Sequence, residues 1–344
     1  MNPLILTLFA FNLLLGTTIT LSSFHWLLAW AGLELNTLTI IPLISKQHHP
    51  RATEAATKYF LTQATAFTLI VSACLLNAWK TGQWDISQLS LPEATTILTI
   101  AIAMKLGLAP LHFWVPEVLQ GSALLIALII STWQKLGPAL LLYMTANNLD
   151  KNTLITLGLL SSIMGGWMGL NHTQTRKIMA FSSIAHMGWL FTAIALNPPL
   201  ALLTILIYIL LTSTTFSMLT ATSSKTLSDL GTTWPQSPTL LSSTMLTLIS
   251  LGGLPPLTGF TPKLLILKEL TTNNLYFISS FMALSALPSL FFYLRMSYMT
   301  TLTLPPSTTN SKHLWRMNPP TPPLLAPLTT ATIFLLPITP LIMI

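Results

Sequence analysis

Glu34, Lys105 and Lys135 each fall near the middle of an apolar stretch long enough to cross a bilayer. A charge at bilayer mid-depth costs roughly 2.5 to 3.5 kcal/mol on insertion scales, so chains seldom keep one without a use. Burial favours a neutral amine and a neighbouring carboxylate favours the ammonium, so a lysine placed this way can load and release a proton. Lys135 follows Trp133-Gln134 and precedes Gly137-Pro138. With Lys105 it would form two steps of a lateral relay, since two nearby cations raise each other's cost of protonation. Glu34 has no cation close in sequence, which points to a lysine from another helix, first of all Lys105. The competing reading is a purely structural ion pair.

Three further residues carry the same logic less directly. Lys263 adjoins a Gly/Pro-rich break. His112 lies seven residues after Lys105, close to two helical turns and so on roughly the same face, although Pro110 intervenes. A hydrogen-bonded helix contact explains His112 as well as a relay does. His186, in Ser182-Ser183-Ile184-Ala185-His186-Met187-Gly188-Trp189, reads by default as a satisfied packing histidine, with proton relay as the alternative. Glu117, Asp85, Glu93, Asp150, Asp229 and Glu269 fall at span ends or loops and read as solvated charges.

The elements that must position these groups follow from composition. The 344 residues are 52% hydrophobic and 7% charged, far below the roughly 25% charged content of soluble domains. Runs 1–33, 59–79, 118–134, 152–175, 178–224, 230–262 and 270–294 contain no Asp, Glu, Lys or Arg, and a span needs only about 20 apolar residues. Hydropathy and Pro/Gly/Asn punctuation predict eleven spans, near 2–21, 25–45, 56–79, 94–115, 122–146, 151–171, 177–196, 200–222, 239–267, 274–300 and 324–343. The fold class is therefore an all-α polytopic membrane protein forming one membrane domain.

Two spans are interrupted, at Lys105-Leu-Gly107-Leu-Ala-Pro110-Leu-His112 and at Gly252-Gly253-Leu-Pro255-Pro256-Leu-Thr-Gly259-Phe-Thr-Pro262-Lys263. Proline removes an amide donor, and unwound backbone survives at membrane depth only when buried in protein or lining a wet cavity. With residues 1–146 and 151–300 taken as two five-helix units, each unit's fourth member is broken. Because five is odd, the second unit would be inverted, a pattern that points to a transport site. Residues 301–344 supply a Pro-rich connection and a flanking helix. An odd span count puts the termini on opposite faces. Loops on the amino-terminal face carry Lys46, Arg51, Arg176, Lys177, Lys225, Lys312 and Arg316 against Lys80, Lys151 and Lys268 on the other, so the amino terminus should face the positive-inside compartment.

Other function classes are disfavoured. The net charge of +7 comes from basic residues scattered through short loops, without a nucleic-acid-binding pattern. One cysteine, Cys74, excludes an internal disulfide and a thiolate-held iron–sulfur cluster. The histidines show no haem-like pairing, no His-Glu-x-x-His occurs, and no glycine loop would cradle phosphate. No redox centre, nucleotide or metal is expected in this chain.

The first break with its continuation to Trp114-Val-Pro-Glu117, the run Thr175-Arg176-Lys177 to His186-Met-Gly-Trp189, and the second break through Lys263 together resemble the antiporter-like membrane subunits of mitochondrial respiratory complex I, NADH-ubiquinone oxidoreductase, in their vertebrate form. The likeness runs essentially from Met1 to Ile344. It implies a proton-translocating subunit of the mitochondrial inner membrane, with the amino terminus on the matrix side and the carboxyl terminus on the intermembrane side. Family members have fourteen helices and the animal form lacks the first three, which leaves eleven. The resemblance places Glu34, Lys105, Lys135 and Lys263 on the family's hydrated axis. It implies as partners the neighbouring antiporter-like and small membrane-arm subunits and lipids such as cardiolipin, with NADH, FMN, iron–sulfur clusters and ubiquinone held by other subunits. The alternative is a stand-alone cation/proton antiporter of the related family.

Overall fold

The computed structural model of the chain describes residues 3–46, 49–234, 237–301 and 324–339, together with His313 and Arg316. Lys312, most of the Pro-rich connection and the outermost residues of the first and last expected spans lie outside the described residues. Among the described residues the molecule is all helical, with only two isolated bridges, His25 to Asp85 and Gln174 to Thr226, pinning loops together.

The order is α1 (Pro3–Ser22), α2 (Trp26–Ser45), α3 (Pro50–Thr81), α4 (Pro92–Leu106), α5 (Trp114–Gly121), α6 (Leu124–Ser131), α7 (Trp133–Thr145), α8 (Lys151–Gly169), α9 (Thr175–Leu196), α10 (Pro198–Ala221), α11 (Leu227–Thr232), α12 (Pro238–Gly252), α13 (Phe260–Thr272), α14 (Tyr276–Thr301) and α15 (Leu325–Phe334). Seven helical segments among the described residues are long and apolar enough to cross a membrane: α1, α2, α3, the α6–α7 unit, α9, α10 and α14. Proline begins α3, α4, α10 and α12 in their first turn, where the missing N–H costs nothing.

Burial sorts the helices by position. α9 is 94% buried across its apolar window and is the central post, whereas α1 at 22% and α14 at 28% are peripheral. Glycine brings α8 onto α9: a Cβ at Gly165 would meet the Ala185 amide and Phe181 carbonyl, and one at Gly188 would meet Ser161 and the Gly158 carbonyl. Close backbone approach of this kind replaces the hydrophobic driving force that helices lack in lipid.

The expected fourth span is divided. α4 stops at Leu106, Gly107 takes a left-handed φ of 76°, and α5 resumes at Trp114 and runs to Gly121, beyond the expected end at 115. The ninth is divided in the same manner, with Gly253 at φ 83° between α12 and α13. Only glycine adopts this conformation without strain. At Gly107 a Cβ would also strike Val115. The fifth span carries an interruption that the sequence reading did not anticipate, at Thr132 between α6 and α7. There the Lys135 amide bonds the Thr132 carbonyl three residues back at 3.3 Å. The Ser131 carbonyl accepts instead from the Tyr208 hydroxyl at 3.0 Å.

Candidate functional site

All three interruptions turn backbone carbonyls toward side chains. At the first, Trp114 Nε1 donates to the Met104 carbonyl at 3.1 Å. At the second, Lys263 Nζ donates to the Gly252 carbonyl at 2.9 Å. At the third, the Tyr208 hydroxyl answers Ser131 and also accepts from Lys135 Nζ at 3.2 Å. A helix that stops inside a membrane leaves carbonyls without intrahelical partners, and these contacts satisfy them. The same openings create space for polar groups.

Lys105, Lys135 and Lys263 are all buried, at 6%, 5% and 8% exposure. Lys105 and Lys135 line one cavity of about 20 Å³, with Tyr59, Gln63 and Ser183 among the walls. Roughly 10–15 Å³ accommodates one water, so this space suits a single bridging molecule. Lys135 Nζ also reaches the Ser183 carbonyl at 3.5 Å and sits 5.0 Å from the Tyr208 ring centre. A second cavity of about 20 Å³ lies beyond Tyr208, lined by that residue, His186 and Lys263. His186 Nε2 meets the Tyr293 hydroxyl at 3.4 Å, and its ring lies 5.6 Å from that of Tyr208. Lys263 Nζ is 6.0 Å from the Trp189 ring centre. The structure thus strings Lys105, Lys135, Tyr208, His186 and Lys263 across α4, α7, α10, α9 and α13.

Two sequence expectations need correction. Glu34 on α2 is half-buried, and among the described residues no cation lies within the 4.0 Å of an ion pair. Glu34 therefore does not clasp Lys105, and it is not among the residues that wall the first cavity. His112 does not share Lys105's cavity. The left-handed turn at Gly107 swings it away, so the seven-residue spacing no longer puts both on one face. Its Nε2 meets Met168 Sδ at 3.2 Å. It borders a separate opening of about 310 Å³ with Met168, His172 and Lys177.

The sequence reading missed Tyr208 and Tyr293. Tyr208 sits in a charge-free run, and its only signal was a phenol within an apolar helix, which must find a partner when buried. Outside the membrane-spanning segments, burial and the neighbouring Lys177 hold the His172 imidazole below its ordinary range. Burial works to raise the Asp229 carboxyl, but hydrogen bonds from Thr226 and Lys225 prevail and hold it below the usual carboxylate value.

Residues 23–288 match the family described as the NADH:quinone oxidoreductase/Mrp antiporter transmembrane region, and residues 290–343 match the NADH dehydrogenase subunit 2 C-terminus. One archaeal chain, from the membrane-bound sulfane sulfur reductase, shares the fold, with a TM-score of 0.80 at 17% identity over 96% of this chain and 72% of its own. A chain of respiratory complex I from Thermus thermophilus, solved with bound aureothin, superposes at a TM-score of 0.85 with 25% identity, over 98% of this chain and 78% of its own. Fold and buried lysines together define an antiporter-like membrane subunit. The NADH-ubiquinone oxidoreductase chain 2 of Struthio camelus is 54% identical over 343 residues, covering 100% of this chain and 99% of the relative. The chain belongs to the NADH-ubiquinone oxidoreductase chain 2 family.

Proposed function

We propose that this chain, as a complex I membrane subunit, carries protons laterally through Lys105, Lys135 and Lys263 while other subunits carry the electrons. The observation that bears most weight is Tyr208, whose hydroxyl meets Lys135 and whose side chain walls the cavity that also holds His186 and Lys263. It supplies a polar step between two small cavities that the lysines alone do not span. Protonation of one lysine raises the cost of protonating the next, so a change in field at Lys105 propagates along the row. Glu34 is the group through which a neighbouring subunit would bias Lys105. His186 shares the second cavity with Tyr208 and Lys263 and is the imidazole beside the row, and His112 stays outside it.

In this reading the chain makes eleven crossings, with α4–α5, α6–α7 and α12–α13 each counted once and α15 last. Residues 1–146 and 151–300 form two inverted five-helix units of a single membrane domain, followed by the connection and flanking helix of 301–344. The amino terminus lies on the matrix side of the mitochondrial inner membrane and the carboxyl terminus on the intermembrane side. The chain itself holds no redox group. NADH, FMN, iron–sulfur clusters and ubiquinone reside in partner subunits, and adjoining membrane subunits and cardiolipin cover its flanks. The test is Lys105→Met and Lys135→Met in the assembled complex. Coupled NADH oxidation and pumping should fall in both, and full coupled turnover in either would end the reading.

A further inference from the structure

A polar mouth opens one helical turn outside the first cavity. It measures about 330 Å³ and is lined by Arg51, Glu54, Ala55 and Lys58 of α3, Glu117, Gln120 and Gly121 of α5, and Lys177 of α9. The inner cavity is walled by the next residues along the same two helices, Tyr59 and Gln63 of α3 and Trp114, Val115 and Leu119 of α5. Ala55 and Tyr59 are four residues apart, so they lie on one face of α3 about 6 Å apart along the axis. α3 begins, and α5 ends, on the face where the loop charges concentrate. Mouth and inner cavity are therefore two stations on a single α3–α5 seam.

The seam is shut by packing. A Cβ on Gly121 would press into Ala55 and the Arg51 carbonyl, so the two helices touch backbone to side chain there. Deeper, the Tyr59 and Trp114 rings meet edge-on at 5.7 Å. Across the outer end, Lys58 Nζ bridges the helices to Glu117 at 2.6 Å while also holding Glu54 at 2.5 Å on its own helix. The Lys58–Glu117 pair is half-exposed, and exposed pairs of this kind contribute little to stability. The Tyr59 side chain is buried among the walls around Lys105, and among the described residues no hydrogen bond occupies its hydroxyl.

We propose that this seam is the inlet that loads Lys105, with Glu117 as the carboxylate that collects the proton and Tyr59 as the hydroxyl that hands it inward. The inference rests on the relay reading above and adds where the row is filled. Glu117 takes one proton from water at the mouth. Its neutral carboxyl releases Lys58, which retains Glu54, and the Lys58–Glu117 ion pair that crosses the seam is lost. The proton then passes through the Tyr59 hydroxyl, which gives up its own proton toward the neutral Lys105 amine as it receives one from the outer side. Glu117 is left ionised and Lys58 returns to it. The charged and titratable groups facing Glu117 are Arg51, Glu54 and Lys58 from α3, Lys177 from α9, His172 from the α8–α9 loop and His112 from the first break.

The experiment uses the assembled complex in membrane vesicles whose amino-terminal face is open to the buffer, with coupled NADH oxidation and pumping followed across pH. Glu117→Gln should lose coupled turnover, and the loss should deepen as pH rises and protons at the mouth become scarce. Glu117→Asp should restore the profile, which a merely structural pairing role would not require. Tyr59→Phe should lose turnover at every pH. Lys105→Met is measured beside them. If Lys105→Met is impaired while Glu117→Gln and Tyr59→Phe keep the native rate and profile, the inlet is wrong and the relay stands. If Lys105→Met itself is fully coupled, the relay falls and takes the inlet with it. Should Glu117→Gln fail to assemble, Lys58→Met, which leaves the carboxylate in place, and Tyr59→Phe decide: a normal rate in Tyr59→Phe overturns the proposal.

Discussion

At the scale of single residues, the chemistry depends on where a buried ammonium finds partners. Lys135 has the Tyr208 hydroxyl and the Ser183 carbonyl, Lys263 has the Gly252 carbonyl, and Lys105 opens on a cavity with no hydrogen bond to its Nζ among the described residues. Leaving a buried donor without its partner costs about 1–3 kcal/mol, more for a charged group. Tyr208→Phe should therefore strip both Lys135 and the Ser131 carbonyl of a partner. The expected outcome is an assembled complex with lowered thermal stability and a slowed coupled rate but native electron transfer in the remaining subunits, checked by comparing coupled NADH oxidation with reduction of a water-soluble acceptor. The carboxylates divide differently. Glu117 reads as a solvated charge from its place at a span end, and it is exposed, yet its ion pair crosses two helices and borders the outer opening between them. Position along the sequence gave no sign of that contact, because its partner Lys58 is 59 residues away.

At the scale of elements, the breaks carry the design. Gly107 ends α4 with φ 76° and ψ 42°, and a side chain in that region costs roughly 1–2 kcal/mol before any clash. Gly107→Ala adds a Cβ against Val115, so the yield of assembled complex and its thermal stability should both fall. Gly82→Ala provides the control, since it shares a positive φ but meets no neighbour within 4 Å, and it should be milder. The short α11 offers a pH test away from the membrane interior. Its capping box has Thr226 accepting from the Asp229 amide while the Asp229 carboxylate accepts from the Thr226 and Lys225 amides at 2.9 and 3.1 Å. Because the folded carboxyl is held below its unfolded value, its contribution is fully present above that unfolded value and is lost as pH falls through the folded one. Hydrogen-exchange protection at amides 225 and 226 should therefore drop on acidification, and Asp229→Asn should lower it at neutral pH and remove that drop. Protection that ignores pH in the native chain would show that the box does not hold α11.

At the scale of the whole molecule, the peripheral helices α1 and α14 expose Leu4, Leu8, Phe11, Phe277, Leu284 and Leu287, surfaces suited to lipid or to neighbouring subunits. A chain built to work in an assembly should exchange neither Na⁺ nor K⁺ for protons when reconstituted alone, and robust exchange in liposomes would restore the stand-alone antiporter reading. The sequence by itself determined that the chain is a helical membrane protein, because charge-free apolar runs of spanning length admit no other partition. It also marked Lys105, Lys135 and Lys263, because an ionisable group flanked by such runs is conspicuous in any order of helices, and it located the breaks at Gly107 and Gly253, where glycine and proline cannot continue a helix. Tertiary structure alone decided which groups meet. His112 left Lys105's face because one left-handed residue redirects everything after it, the interruption at Thr132 depends on a hydroxyl 77 residues away, and Glu34 stays apart from Lys105 because packing sets the distance between α2 and α4. Local chemistry is written in composition and spacing, whereas contacts between distant segments depend on how helices turn about their axes, and no single helix encodes that rotation.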